Sequence, residues 1–166
     1  MAAGATYEPI ATTTLGSTAS EVNFTSISGS YTDLVIVVNG STTTGKEFAV
    51  QFNGDTGSNY SRTILSGTGS AANSNRQTSQ TVLSLNFYGN MSAAQPNTTI
   101  VSIQNYSNST TYKSVLARAN DATSGLDAIV GLWRSTSAIT SIKCLPYSAG
   151  TFASGLMITL YGIAAA

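Results

Sequence analysis

The stretch Asp33-Leu34-Val35-Ile36-Val37-Val38-Asn39-Gly40 decides how the fold is read. In a strand, successive side chains point to opposite faces, so Leu34, Ile36 and Val38 face one way while Val35 and Val37 face the other. Both faces are then apolar. A strand of this kind belongs in the middle of a sheet, covered on one side by an opposed sheet and on the other by a loop or a neighbouring subunit. Residues 81–88 alternate more cleanly, which predicts Leu83, Leu85 and Phe87 inward and Ser84 and Asn86 outward on a one-sided sandwich strand. Period-two clusters of the same sort recur along the chain. They predict strands over residues 10–15, 21–27, 33–38, 47–52, 62–65, 81–88, 98–106, 112–118, 127–134, 139–145 and 156–163, with no helix of three turns required.

Turn chemistry separates these segments. Asn39-Gly40 and Asn53-Gly54 end strands with residues that tolerate positive φ. Residues 67–75 hold no large apolar side chain and read as an exposed loop leading to Arg76-Gln77-Thr78-Ser79-Gln80; residues 120–125 read as another. About ten strands in one small domain suggest two antiparallel sheets, an all-β sandwich that is most economically jelly-roll-like, with a closed barrel as the alternative. Residues 1–9 are expected to form an N-terminal arm and residues 10–166 the single sandwich domain.

Composition narrows function more by exclusion than by choice. The 166 residues include 7 Lys+Arg, 7 Asp+Glu and no His, and the formal net charge is zero. Ser (24), Thr (24), Asn (12) and Gly (15) make up 75 positions. Such a chain has no electrostatic footprint for a phosphate backbone, so nucleic acid is not an expected partner. No segment approaches the roughly 18 apolar residues of a spanning helix, and the opening Met-Ala-Ala-Gly-Ala-Thr-Tyr-Glu-Pro lacks a signal-peptide pattern, so no membrane is expected and synthesis is expected in the cytoplasm. Cys144 stands alone and reads as a buried structural thiol on the strand that carries Ile142.

Nor do the residue patterns nominate catalytic or metal chemistry. A serine nucleophile needs a base, and with histidine absent, Lys46, Lys113 and Lys143 form no recognisable pair with one. No spacing nominates two carboxylates such as Asp55 and Asp121 for glycosidase work. The run Asn53-Gly54-Asp55-Thr56-Gly57-Ser58-Asn59 superficially suggests a calcium loop but lacks the closing bidentate acid. Ordinary turn chemistry, with Asp55 accepting backbone hydrogen bonds, is the favoured reading, and the loop between Asp121 and Asp127 is read the same way. No cofactor, metal or catalytic residue is therefore expected. For a binding module, Tyr60, Tyr106, Tyr112 and Tyr147 are candidates for stacking on sugar rings, whereas Trp133 reads as core.

Several motifs in order carry a family resemblance: Tyr7-Glu8-Pro9-Ile10-Ala11-Thr12-Thr13-Thr14-Leu15; Val22-Asn23-Phe24-Thr25-Ser26-Ile27 followed by Tyr31-Thr32-Asp33-Leu34; Phe52-Asn53-Gly54-Asp55-Thr56-Gly57-Ser58-Asn59-Tyr60-Ser61; Gly131-Leu132-Trp133-Arg134 through Ile142; and Thr159-Leu160-Tyr161-Gly162-Ile163. Over nearly its whole length the chain resembles small structural proteins of tailed bacteriophages, of the kind found in cyanophages. The resemblance implies a non-enzymatic β-sandwich on the outer surface of the virion, at the head or the tail. Since homo-oligomers are usually closed and symmetric, the expectation is a homotrimer that decorates and cements the capsid by contacting the major capsid protein. Its expected subunit contact comprises Leu34, Ile36, Val38, Leu156 and Tyr161. The alternative is a tail-fibre or baseplate-associated module that recognises host glycans through the four tyrosines.

Overall fold

The computed structural model describes residues 6–121 and 123–164, whose regular elements are all strands. In chain order these are β1 (Tyr7–Thr14), β2 (Val22–Phe24), β3 (Asp33–Gly40), β4 (Phe48–Phe52), β5 (Tyr60–Gly67), β6 (Ala72–Gln80), β7 (Leu83–Ser84), β8 (Asn97–Ile103), β9 (Lys113–Asp121), β10 (Gly125–Trp133), β11 (Ile142–Pro146) and β12 (Met157–Ile163). They form an eight-stranded sheet in the order β1-β12-β3-β8-β9-β10-β5-β6 and a four-stranded sheet in the order β2-β11-β4-β7. Every pairing is antiparallel, and the two sheets face one another as a sandwich.

The connectivity becomes plain when two hairpins are set aside. Without β5–β6 and β9–β10, the larger sheet reads β1-β12-β3-β8 against β2-β11-β4-β7. Successive strands then alternate between sheets except at the step from β4 to β7, which is jelly-roll connectivity. Both hairpins are insertions that extend one sheet beyond the edge of the other. The jelly roll expected from sequence is present, with twelve strands rather than about ten.

β3 sits inside the larger sheet between β12 and β8, as its two apolar faces require. Leu34, Ile36 and Val38 pack between the sheets with Ile158, Leu160, Val101 and Ile103, facing Phe48, Val50, Phe52, Ile142 and Cys144 of the smaller sheet's strands. This corrects the expected subunit contact. Leu34, Ile36, Val38 and Leu156 are buried within the single chain, because the sandwich itself supplies the cover assigned to a neighbour. The outward side chains of these strands are Val35 and Val37 on β3 and Met157, Thr159 and Tyr161 on β12. Tyr161, the remaining nominee, does face outward, with the ring of Tyr7 edge-on at 6.2 Å.

Other boundaries shift for identifiable reasons. Residues 7–9 are not arm but the start of β1, paired with Ile163, Gly162 and Tyr161; residues 1–5 lie outside the described residues. Residues 72–80, expected as loop and tail of loop, form β6, an exposed edge strand without an apolar face to betray it. Asn53 and Gly54 have the positive φ expected of a turn, 52° and 68°. Asn39-Gly40 instead continues β3 to its end. At Gly162 the ring of Tyr31 packs so closely that a Cβ would lie 2.4 Å from it, which places that ring on the core.

Because Ile36 packs inside one chain, Ile36→Ala should cost about 2–5 kcal/mol. Its melting temperature should fall by the same amount at every protein concentration, as followed by circular dichroism; a concentration-dependent loss would return Ile36 to an intermolecular contact.

Candidate functional site

The smaller sheet covers the inserted hairpins only in part, through Leu83 beneath Gly131 and Phe52 against Tyr60 and Trp133, so the rest of their inner face needs another cover. Residues 85–91 provide it after β7 ends. A cover of irregular backbone brings N–H and C=O groups that no ladder satisfies, and side chains must serve them. Asp127 of β10 points inward and accepts hydrogen bonds from the N–H groups of Phe87 (2.6 Å), Tyr88 (3.3 Å) and Gly89 (2.7 Å) and from Ser66 Oγ (2.6 Å). Asn86, fully buried, accepts from Phe48 N–H at 2.7 Å and donates to Gly89 C=O at 2.9 Å. Arg62 of β5 donates to Ser84 Oγ at 2.7 Å and Asn86 C=O at 2.9 Å and pairs with Glu47 at 3.2 Å. Of the one-sided strand expected over residues 81–88 only Leu83–Ser84 forms; Leu83 and Leu85 are buried as expected, but Ser84 and Asn86 are buried too, by these bonds, and Phe87 is exposed.

Burial of Asp127 sets the parity of β10, so Asp127, Ile129, Gly131 and Trp133 face inward. The outward row is Leu126, Ala128, Val130 and Leu132. In register beside it lie Leu116 and Arg118 of β9, opposite Val130 and Ala128, and Leu65 of β5, opposite Ala128. Ile100 of β8 follows opposite Arg118, then Val35 and Val37 of β3, Tyr161 and Met157 of β12, and Tyr7 of β1. Of eight exposed large apolar side chains among the described residues, six lie on this outer face: Tyr7, Leu65, Leu116, Leu126, Val130 and Met157. Scattered exposed apolar residues are ordinary, but a contiguous set on one sheet face marks an interaction surface.

Near the middle of this face stands Arg118. The two salt bridges among the described residues lie elsewhere, at Arg62–Glu47 and Lys143–Glu21. A hollow of about 290 Å³ on one side of Arg118 is lined by Thr98, Ile100, Asn120, Leu126 and Ala128. A second, of about 370 Å³, is lined by Tyr7, Val35, Ser102 and Leu116. The surface therefore offers one apolar hollow and one of mixed lining with the Arg118 guanidinium between them, suited to a partner that brings apolar groups and one anionic or acceptor group.

The glycan candidates are not brought together. Tyr60 and Tyr106 are fully buried, which removes both from any stacking platform; Tyr112 is exposed and Tyr147 half-buried. Tyr60 stacks on Trp133, the core residue expected from sequence, and its hydroxyl accepts from Phe52 N–H and donates to Asp55 C=O. Desolvation pushes the Tyr60 hydroxyl up to about 12. Tyr106 donates to Ser28 C=O and is pushed upward by burial too.

The acidic loops behave as turns. Asp55 accepts from Gly57 N–H at 2.8 Å, Asn59 Nδ2 at 2.9 Å and Trp133 Nε1 at 2.7 Å, so N–H donors occupy both carboxylate oxygens. Asp121 accepts from the Thr123 hydroxyl at 2.6 Å and its N–H at 2.9 Å. Among the described residues no three His, Cys, Asp or Glu side chains gather as a metal site. Lys113 is buried with Nζ donating to Thr111 C=O at 2.7 Å and Thr136 C=O at 3.1 Å, and desolvation pulls its pKa down. Cys144 is a buried thiol with its pKa raised by burial.

No protein-family model and no curated protein matches the chain. Among solved structures, the galectin LEC-6 of Caenorhabditis elegans is similar over 93% of this chain and 96% of that one, with 9% identity and a TM-score of 0.39. That degree of likeness assigns neither function nor site, and the sandwich is read from the strand order itself.

Asp55 gives a pH signature. Desolvation works to raise its pKa, but the hydrogen bonds from Trp133, Asn59 and Gly57 together outweigh it and hold the carboxyl below its ordinary value. The stability it contributes is therefore present above the unfolded-state pKa and lost as pH falls through the folded value. Thermal unfolding followed below about pH 4 should show an acid limb that Asp55→Asn makes shallower. An unchanged limb would remove Asp55 from the acid response.

Proposed function

We propose that this chain is a non-catalytic structural protein of a tailed-phage virion, a jelly-roll subunit held on the particle through the outer face of its larger sheet. Support for the assembly role is the gathering of six of the eight exposed large apolar side chains on that face. Its placement on a phage particle rests on the sequence resemblance of the motifs from Tyr7 to Leu15 through Thr159 to Ile163. A capsid decoration role is the specific form of the proposal, with the shell protein or a symmetry-related copy as the contacting partner.

Geometry makes the face large enough. Eight strands spaced about 4.8 Å apart span roughly 34 Å, and seven residues at about 3.4 Å each reach roughly 24 Å, giving a footprint of about 800 Å². One partner contributes about that area to a standard protein–protein interface. The paucity of charge suits the same use, because hydroxyl and amide groups are desolvated at lower cost than ions.

Leu116 and Val130 lie opposite one another near the centre of the face, so Leu116→Asp combined with Val130→Asp tests the reading. Both side chains already meet water, so each change alone should alter stability by less than about 1 kcal/mol, and the two carboxylates facing one another across the ladder should cost up to about 1 kcal/mol more. Virions assembled with the double variant should lose this protein from purified particles, and a cryo-electron reconstruction should lose the corresponding density. Retention of the variant at wild-type copy number would overturn the proposed contact.

A further inference from the structure

A strand at the edge of a sheet exposes N–H and C=O groups that a further strand would pair, and folded proteins usually blunt such edges. This fold has four edge strands, β1 and β6 in the larger sheet and β2 and β7 in the smaller. Three of them carry a recognisable obstacle. β2 and β7 are only three and two residues long. β1 contains Pro9, which has no N–H to donate, beside a break in register between Pro9 and Ala11.

β6 is neither short nor interrupted by proline, and its one break in register lies at its far end, between Gln77 and Gln80, where Ser79 has a φ of 57°. It runs for nine residues, Ala72–Gln80, without proline or glycine and with one charged side chain, Arg76. Its register with β5 is unbroken from Ala72 to Gln77. Residues 72–76 are exposed, so nothing else in the fold lies over this edge. In an antiparallel ladder alternate residues turn both their backbone groups toward the partner, so every other residue of β6 turns them away from β5 into solvent.

We propose that β6 is a self-association strand, pairing antiparallel with β6 of a second copy about a twofold axis and joining two larger sheets into one. Several features select a second copy as the occupant. The contact is isologous and closes on itself. Asn, Ser, Thr and Gln side chains along β6 hydrogen-bond across a strand pair. An axis anywhere between Asn73 and Asn75 sets Arg76 opposite residues 70–74 and never opposite its own copy. The formal net charge of zero leaves no long-range repulsion between copies. Head-to-tail pairing of β6 with β1, which would build rings or filaments, meets Pro9 and the β1 bulge. The twofold contact uses only the edge, leaves the outer sheet face free, and stands independently of the proposed virion role.

Sedimentation of the purified protein over roughly 1 µM to 1 mM spans weak to moderate affinities. The expected result is a species of twice the 17.1 kDa chain mass. Asn73→Lys combined with Asn75→Lys should weaken the dimer at least tenfold, whereas Leu116→Asp with Val130→Asp should leave it intact. Cys144 is the sole cysteine and is buried, so thiols introduced on β6 report on that edge alone. Asn73→Cys, Ser74→Cys, Asn75→Cys and Arg76→Cys, made singly, should give disulfide-linked dimers most readily at the residue nearest the axis, where Cα atoms approach to about 4.4–6.8 Å. A monomer throughout the concentration range, a dimer lost with the sheet-face variant but not the lysine pair, or equal cross-linking at all four positions would each overturn the proposal. Uptake of a foreign strand by a monomer counts among the overturning results.

Discussion

The inward-pointing carboxylate of Asp127 is the constraint on which the outer surface depends. Residues 87–89 would otherwise bring backbone N–H groups against the sheet without acceptors, at about 1–3 kcal/mol for each one buried unsatisfied. The carboxylate accepts from all three of these residues and from Ser66. Because side-chain direction alternates strictly, fixing Asp127 inward sends Leu126, Ala128, Val130 and Leu132 outward together. Register then carries the consequence to Leu116 on β9 and Leu65 on β5. A single buried acid thus turns the more continuous apolar row of β10 toward solvent.

That inversion explains where sequence reading stops. Strand existence was legible in β3, β8, β9 and β12, whose apolar positions recur at period two, and the jelly roll followed from their number and spacing. Which face is buried was not legible when both parities are apolar or when the buried parity is polar. On β10 the row Leu126, Ala128, Val130, Leu132 is more apolar than Asp127, Ile129, Gly131, Trp133, yet the second row is inside. Ser84 and Asn86 deceive in the same way, because they are buried beside Leu83 and Leu85 to serve Arg62, Phe48 N–H and Gly89 C=O. β6 left no apolar signal at all, since both of its faces meet water. In the Asp55 turn, by contrast, local chemistry sufficed: Asn53-Gly54 supplied positive φ, and Asp55 accepted the Gly57 N–H as ordinary turn residues do.

The two inserted hairpins give the jelly roll its asymmetry. A plain jelly roll balances four strands against four, and each sheet shelters the other. Here β5, β6, β9 and β10 extend only one sheet, and the part of the extension that the smaller sheet leaves open is sheltered by residues 85–91 and a polar network of Arg62, Glu47, Ser84, Asn86 and Asp127. The Arg62–Glu47 pair satisfies a local cover and carries no inference of large net stability, because desolvation offsets much of its attraction. The hydrophobic contribution comes mainly from the core between the eight jelly-roll strands and from the aromatic contact of Phe52, Tyr60 and Trp133 beneath the Asp55 turn.

Arg118 bears on which surface a neighbour can present to the extended face. Two copies meeting face to face about an axis near the centre would bring two guanidinium groups together in an apolar contact. Nothing acidic stands beside them to offset the repulsion; Asp33, at the rim, is engaged by Asn105 N–H at 2.6 Å. Removing two like charges from water costs several kcal/mol per ion unless each finds a counter-charge or acceptor. A different surface, carrying a carboxylate or a row of carbonyls to meet Arg118 and apolar groups to fill the hollows beside it, avoids that cost. The sheet face therefore favours a heterologous contact, while on the hydroxyl- and amide-rich β6 edge the one charge, Arg76, stays exposed and off the axis and meets no such cost against its own copy.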